Sequence, residues 1–264
     1  MRDSIKVSGL VVREVKTGEA DKLLTLICNG IGRIDVSGKG VRSLKSPHIT
    51  TAQLFAYGTF VLSRGKKYYY ISESELIEPF FGLRSDIERV SLAAYLADIL
   101  CDLSPEGIED ESLLRLTLNA YYALSEKKDI PLPKIKSAYE FKAACIAGFC
   151  PDLSVCSRCG CDERTKMYLD VMNGGLVCDG CKTAVALENE IGETGTAIIH
   201  LPVSRGALGA LRYIAESDEK RFLSFSTDAA DEKLLSGITE RYLTEHLEHG
   251  FHSLDFYKSL IISR

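Results

Sequence analysis

Two Cys-x-x-Cys units, Cys156-Ser157-Arg158-Cys159 and Cys178-Asp179-Gly180-Cys181, stand eighteen residues apart. That spacing fits a four-thiolate zinc site. Two residues between thiolates let one tight turn aim both sulfurs at a single ion, at about 2.3 Å, and a second turn completes a tetrahedron. The run Met167–Leu176, with Asn173-Gly174-Gly175 in it, reads as a hairpin that brings the two turns together. The expected cofactor is one Zn²⁺ held by Cys156, Cys159, Cys178 and Cys181. A closed four-sulfur set leaves no open coordination position, so its role is structural: metal binding replaces the core that a module of ~30 residues cannot build. Cys161 is either a competing ligand or a free thiol. A redox role for Cys-x-x-Cys wants one such pair at a helix start beside a βαβ pattern, and none is visible. Cys28, Cys101, Cys145 and Cys150 lie in apolar patterns and read as small buried hydrophobes. Nine cysteines, an odd number with no export signal ahead of them, argue for reduced thiols rather than paired disulfides.

The second constellation is cationic. Gly32–Ser46 carries Arg33, Lys39, Arg42 and Lys45 around Gly38 and Gly40, and Lys66-Lys67 precede Tyr68-Tyr69-Tyr70. Cations on a glycine-rich rim present point charges to phosphates, with backbone N–H groups as further donors. Strand alternation puts Tyr69 on the face opposite Tyr68 and Tyr70, so an exposed ring can stack a base, against the simpler role of strand packing. The expected nucleic-acid contacts are Arg33, Lys39, Arg42, Lys45, Lys66 and Lys67. The net charge of −5 conceals a split: residues 1–70 hold twelve Lys/Arg against five Asp/Glu, a net of +7, leaving −12 on the other 194 residues. Such asymmetry points to a basic binding surface on an acidic body.

No catalytic constellation emerges, and no catalytic residue is assigned. His246, His249 and His252 drift around a helix instead of stacking, with Gly250 between them, and read as a solvated, frayed helix end. The acidic stretches Glu106–Glu111 and Glu188–Glu190 read as exposed faces or loops. There is no Walker loop, no GxGxxG after a strand and no GxSxG elbow. Nothing requires an enzyme; a metal-dependent nuclease or thiol enzyme is the weakest reading.

These residues need elements to hold them. Ile5–Val15, Lys22–Asn29, Arg33–Val36, Gln53–Ser63 and Lys67–Glu78 read as five strands separated by turn signals, which suits a small closed barrel of the OB type. Ser85-Asp86-Ile87-Glu88 has capping-box spacing ahead of a wide apolar helix face. Helical patterns follow over Glu111–Ser125, Lys134–Phe149, Ser204–Ser217 and Asp228–His249. Lys142 falls on an apolar stripe, from which it can snorkel to water. The expected architecture is α+β and multidomain: an OB barrel over 1–80, an all-helical body over 81–150 and 191–264, and a zinc-binding insertion over 151–190. Nowhere do ~18 consecutive apolar residues occur, so no membrane partner is expected and the cytoplasm is the expected compartment.

Several blocks together resemble the RecO family of bacterial DNA repair proteins. They are Gly18-Glu19-Ala20-Asp21-Lys22-Leu23-Leu24-Thr25-Leu26, Gly32, the loop from Lys39-Gly40-Val41-Arg42 to Lys45-Ser46, and Gly148-Phe149-Cys150-Pro151-Asp152-Leu153 leading into Cys156-Ser157-Arg158-Cys159-Gly160. Gly174-Gly175-Leu176-Val177-Cys178, Arg241-Tyr242-Leu243 and Ser253-Leu254 follow in the family's order. Ala20 stands where the family usually has Ser or Thr, and the basic loop has one arginine where a basic pair is common. The resemblance implies a non-enzymatic recombination mediator, associated with the nucleoid. It would bind single- and double-stranded DNA, anneal complementary strands and, with RecR, help load RecA onto strands coated by single-stranded DNA-binding protein. The competing reading is a zinc-stabilised protein-interaction scaffold that touches no nucleic acid.

Overall fold

Period-2 alternation of apolar residues builds the N-terminal part of the structure. In the computed structural model, which describes residues 4–108, 111–162, 166–184 and 198–262, five strands close on themselves: β1 (Ser4–Thr17), β2 (Asp21–Cys28), β3 (Gly32–Gly38), β4 (Tyr57–Arg64) and β5 (Tyr69–Glu78). The order around the barrel is β1-β2-β3-β5-β4, with β1 pairing β4 to shut it. All pairs are antiparallel except β3 with β5. This is the OB-type barrel expected from sequence. Val11, Leu24, Leu26, Ile34, Val36, Phe60 and Leu62 fill its interior, each contributing about 1.5–3 kcal/mol on burial. A bulge between Val11 and Arg13 bends β1, as closure of so small a barrel requires. The fourth strand starts four residues later than the apolar run Gln53–Ser63 indicates, because 53–55 form turns; the backbone of Phe55 is left-handed, at φ 67°.

The described residues divide into two units, 1–130 with 251–264, and 131–250. In the first, a 3₁₀ turn (Phe81–Ser85), α1 (Ile87–Leu103) and α2 (Glu111–Glu126) follow the barrel. The helix cap differs from the expected capping box. Asp86, not Ser85, is the N-cap and accepts from Glu88 N at 2.9 Å. Ser85 Oγ instead donates to Gly82 O at 2.7 Å, completing the 3₁₀ turn. Asp86 wins because it is one residue nearer the first free N–H groups and its carboxylate complements the helix dipole. A helix not anticipated from sequence, α6 (His252–Ile262), returns to pack on α1; Phe251 meets Tyr95 edge-to-face at 5.4 Å and Ser253 Oγ donates to Asp98 at 2.6 Å.

The second unit contains α3 (Leu132–Ala144), α4 (Arg205–Glu216), α5 (Ala229–Leu247) and a four-stranded sheet. The strands are β6 (Asp152–Cys156), β7 (Met167–Asp170), β8 (Gly175–Cys178) and β9 (His200–Val203), ordered β6-β8-β7-β9. β7 and β8 form the hairpin expected from sequence. α3 ends at Ala144, and the chain makes a π-turn over Cys145–Phe149 where the apolar stripe had indicated continued helix. Lys142 does not snorkel. Its ammonium is buried and donates to Ala215 O at 2.9 Å and to Ser217 O, which lie at the C-terminal end of α4. A cation is favoured there because the last helical carbonyls lack intrahelical donors. The Glu188–Glu190 stretch, the expected boundary at 190/191, and Glu109 and Asp110 of the first acidic stretch lie outside the described residues.

Candidate metal centre and nucleic-acid interface

The sheet register brings the four cysteines together. β6 and β8 are parallel neighbours whose last residues are Cys156 and Cys178, so both sulfurs emerge at one end of the sheet. The turn after β6 carries Cys159, with Gly160 N bonded to Cys156 O at 2.9 Å, and the helical turn after β8 carries Cys181. All four sulfurs lie within 4.8 Å of one another, and those of Cys159 and Cys178 are 3.7 Å apart. A tetrahedron with metal–sulfur bonds of about 2.3 Å has edges of about 3.8 Å. The cluster therefore has dimensions that could hold one metal ion, and an all-thiolate donor set suits a soft or borderline cation.

The backbone favours ionised sulfur. Burial raises the Cys156 thiol, but N–H donors from Cys178, Cys159 and Arg158 outweigh it and bring the thiol down to about 6; the Cys178 N–H lies 3.4 Å from that sulfur. Cys178 is lowered chiefly by the Cys181 N–H. Cys181, donating to Cys159 and Cys178, is raised to about 12. The fifth thiol, Cys161, contacts the Cys178 sulfur while its carbonyl accepts from Cys156 N at 2.9 Å. Of the remaining cysteines, Cys28 and Cys101 are buried as expected, and burial pushes them up to about 12 and about 11. Cys145 and Cys150 are not core residues: one is half-buried and the other exposed.

On the barrel, five of the six expected cations lie on two connections, β3–β4 and the β4–β5 hairpin. Lys39 follows β3, Arg42 and Lys45 belong to the next loop, and Lys66 and Lys67 form the β4–β5 turn; all five are exposed. None of the five makes an ion pair among the described residues. The loop is pinned rather than free. Val41 plugs the barrel interior, Gly40 N donates to Asp21 Oδ1 at 2.7 Å, and Arg42 N donates to Ala20 O at 2.9 Å. The Arg42 guanidinium also donates to Glu19 O at 2.9 Å, so part of its fork is committed. Leu44, at 92% exposure, projects between Arg42 and Lys45.

Lys39 and Lys66 share a concavity of about 610 Å³ with Arg64, Gly65, Tyr70 and Ser72. Lys39 Nζ sits 5.3 Å from the Tyr70 ring centroid, in cation–π range. A Cβ on Gly65 would fall 2.3 Å from the Tyr70 ring, so glycine is what lets this ring lie against the turn. Tyr69 packs on the barrel core, confirming the alternation. Arg64, which the sequence did not single out, joins the groove because β4 ends there. Arg33 stands apart. It is the second residue of the strand that Lys39 follows, about 20 Å away at ~3.3 Å per residue, and its guanidinium donates to Cys101 O at 2.9 Å. It faces a mixed-charge pocket with Arg13, Asp35, Asp102 and Glu106.

The three histidines do not form a frayed, solvated end as a group. His246 stacks on Phe149 with centroids 4.9 Å apart and meets Tyr242 edge-on at 4.4 Å. His249 and His252 are exposed. No described helix is long and apolar enough to cross a membrane.

The family model described as "Recombination protein O N terminal" matches residues 1–80, and "Recombination protein O C terminal" matches residues 84–255. The chain is 35% identical to the DNA repair protein RecO of Acetivibrio thermocellus over 256 residues, covering 97% of both chains. It is 32% identical to that of Pelotomaculum thermopropionicum, covering 95% of this chain and 92% of the relative, and 28% identical to that of Alkaliphilus metalliredigens, covering 97% and 99%. Their names carry a repair role and no catalytic activity. With a closed barrel, a four-cysteine cluster and family matches that together span nearly all its length, the chain belongs to the RecO family of DNA repair proteins.

Proposed function

We propose that this protein is a non-enzymatic recombination mediator that grips nucleic acid on the rim of its N-terminal barrel. It binds single- and double-stranded DNA and anneals complementary strands. With RecR, it helps load RecA onto strands coated by single-stranded DNA-binding protein. The observation that carries the reading is the groove in which Lys39, Arg64 and Lys66 surround the Tyr70 ring. Cations to track a backbone and an aromatic face to stack a base are the two parts of a single-strand site. Arg42, Lys45 and Lys67 extend the positive rim, and Arg33 is left out. In this reading residues 1–80 form the DNA-binding part, 81–150 and 191–264 the helical parts, and 151–190 the metal module. The metal is one Zn²⁺ on Cys156, Cys159, Cys178 and Cys181; bound there, it supplies a cross-link between the ends of β6 and β8.

The test is single-stranded DNA affinity measured by fluorescence anisotropy across a salt series. Each phosphate contact contributes about 0.7 to the slope of log K against log salt on single strands, so Lys39→Ala/Lys66→Ala flattens it by about 1.4. An unchanged slope removes the groove from the site. No complex even at low salt supports the alternative of an interaction scaffold without nucleic acid. Annealing of strands coated with the cognate binding protein separates a mediator from a simple DNA binder.

A further inference from the structure

The π-turn at the end of α3 places two thiols together outside the four-cysteine centre. Cys145 is its first residue and Cys150 follows its last, Phe149. The i-to-i+5 closure of a π-turn sets these positions side by side, and such turns are frequent at functional sites. Gly148 makes the turn feasible: its φ of 94° lies where side chains are strained. The Cys145 and Cys150 thiols hydrogen-bond to each other. Cys150 is exposed and Cys145 half-buried, so a reagent reaches one sulfur and finds the second behind it. The positive charge of Lys142, fixed by the carbonyls of Ala215 and Ser217, acts on both. The hydrogen bond from Cys145, opposed by burial and aided by Lys142, brings the Cys150 thiol down to about 7, and Cys145 is pushed up as the donor. Among the described residues the pair belongs to no group of three or more metal-ligating side chains, so a metal role lacks ligands. A packing role does not fit an exposed thiol.

We propose that Cys145 and Cys150 are an oxidative modification site: a dithiol that a hydroperoxide closes to an intramolecular disulfide across the π-turn. The Cys150 thiolate attacks one peroxide oxygen. An S–O bond forms, the O–O bond breaks, and the leaving oxygen takes a proton and departs as water or alcohol. The Cys145 sulfur then attacks the Cys150 sulfenic acid. An S–S bond forms, the S–O bond breaks, and hydroxide leaves with the Cys145 proton as water. Two electrons pass from the dithiol to the peroxide. Because the π-turn sets the two positions side by side, closure calls for side-chain rotation. Closure fixes the segment Phe149-Cys150-Pro151 that leads into β6 and, at its end, Cys156. Tyr242 Oη, donating to Phe149 O at 2.7 Å, and His246, stacked on Phe149, already hold that segment from α5.

The experiment uses the full chain, reduced and carrying its bound metal, titrated with hydrogen peroxide and then alkylated. Expected are loss of two hydrogen atoms from the intact mass, a bond mapped by peptide mass spectrometry to Cys145 and Cys150, reversal by dithiothreitol, and metal still bound. In Cys145→Ser, Cys150 stalls as a sulfenic acid that dimedone captures; in Cys150→Ser neither product forms. Cys145→Ala replaces Cys145→Ser if the polar substitution at that half-buried position prevents folding, as judged by circular dichroism. A disulfide that persists in Cys150→Ser overturns the proposal. So does prior oxidation of Cys156, Cys159, Cys178 or Cys181 with metal release while Cys145 and Cys150 still alkylate.

Discussion

Single side chains in this protein make opposing claims on water. His246 lies between Phe149 and Tyr242, and burial lowers its pKa against small upward pulls from the Val171 carbonyl and Glu245. A histidine depressed below its ordinary ~6.5 adds stability that is present above that value and lost as pH falls through the folded one. The thermal midpoint of the wild type therefore drops between about pH 7.5 and 5 more than that of His246→Phe, which keeps the stack without the titration. In the proposed single-strand site Tyr70 offers its ring face. Tyr70→Ala weakens single-strand binding by about 1–3 kcal/mol while Tyr70→Phe preserves it, read from equilibrium titrations at fixed salt. Arg33→Ala leaves the salt slope unchanged but lowers the denaturation midpoint, because its partner is the Cys101 carbonyl rather than a phosphate. Which of the six cations share a groove was not legible in sequence. Charge and proximity to glycine nominate all of them equally, and only strand length and register decide which converge.

Among the elements, α3 carries a buried ion-pair network. Lys136 pairs with Glu140 and Glu240, each at 2.8 Å, and Thr239 donates to Glu140 at 2.8 Å. The Lys136 and Glu140 side chains are 4% and 0% exposed. Burial pulls the lysine pKa down, but the two carboxylates more than restore it, leaving it above 10.5. The stability it contributes is complete below pH 10.5 and is lost as pH climbs through the higher folded value. Lys136→Met strands a buried carboxylate and costs about 3–5 kcal/mol in denaturant unfolding, whereas Lys136→Met/Glu140→Leu recovers much of it. The barrel was the most legible element, since five alternating runs with turn signals leave few other solutions. The β7–β8 hairpin was legible too, through Asn173-Gly174-Gly175. The helix ends were not. An apolar stripe running through Gly148 conceals the π-turn, and the polar run before Phe251 conceals the start of α6. In both places backbone geometry overrides side-chain periodicity. Lys142 was misplaced for a related reason: the stripe shows that it faces inward but not that α4 ends there.

Across the whole chain, the first 70 residues carry +7 and the rest −12, and among the described residues none of the groove cations Lys39, Arg64 and Lys66 makes an ion pair. The four-cysteine cluster that could hold a metal ion is a separate feature. Elemental analysis should return about one zinc per chain, and prolonged chelation or Cys178→Ser should melt the 151–178 region, read as lost amide protection there. The unit formed by 1–130 and 251–264 encloses 120 intervening residues in sequence. A ribosome thus finishes residues 131–250 before it delivers Phe251 and α6 to Tyr95 and Asp98. Until residues 251–262 emerge, α1 lacks the helix that packs on it, so a chain truncated after residue 250 should be insoluble, with its α1 face bare. The order of synthesis, and not only the final arrangement, is written into this connectivity.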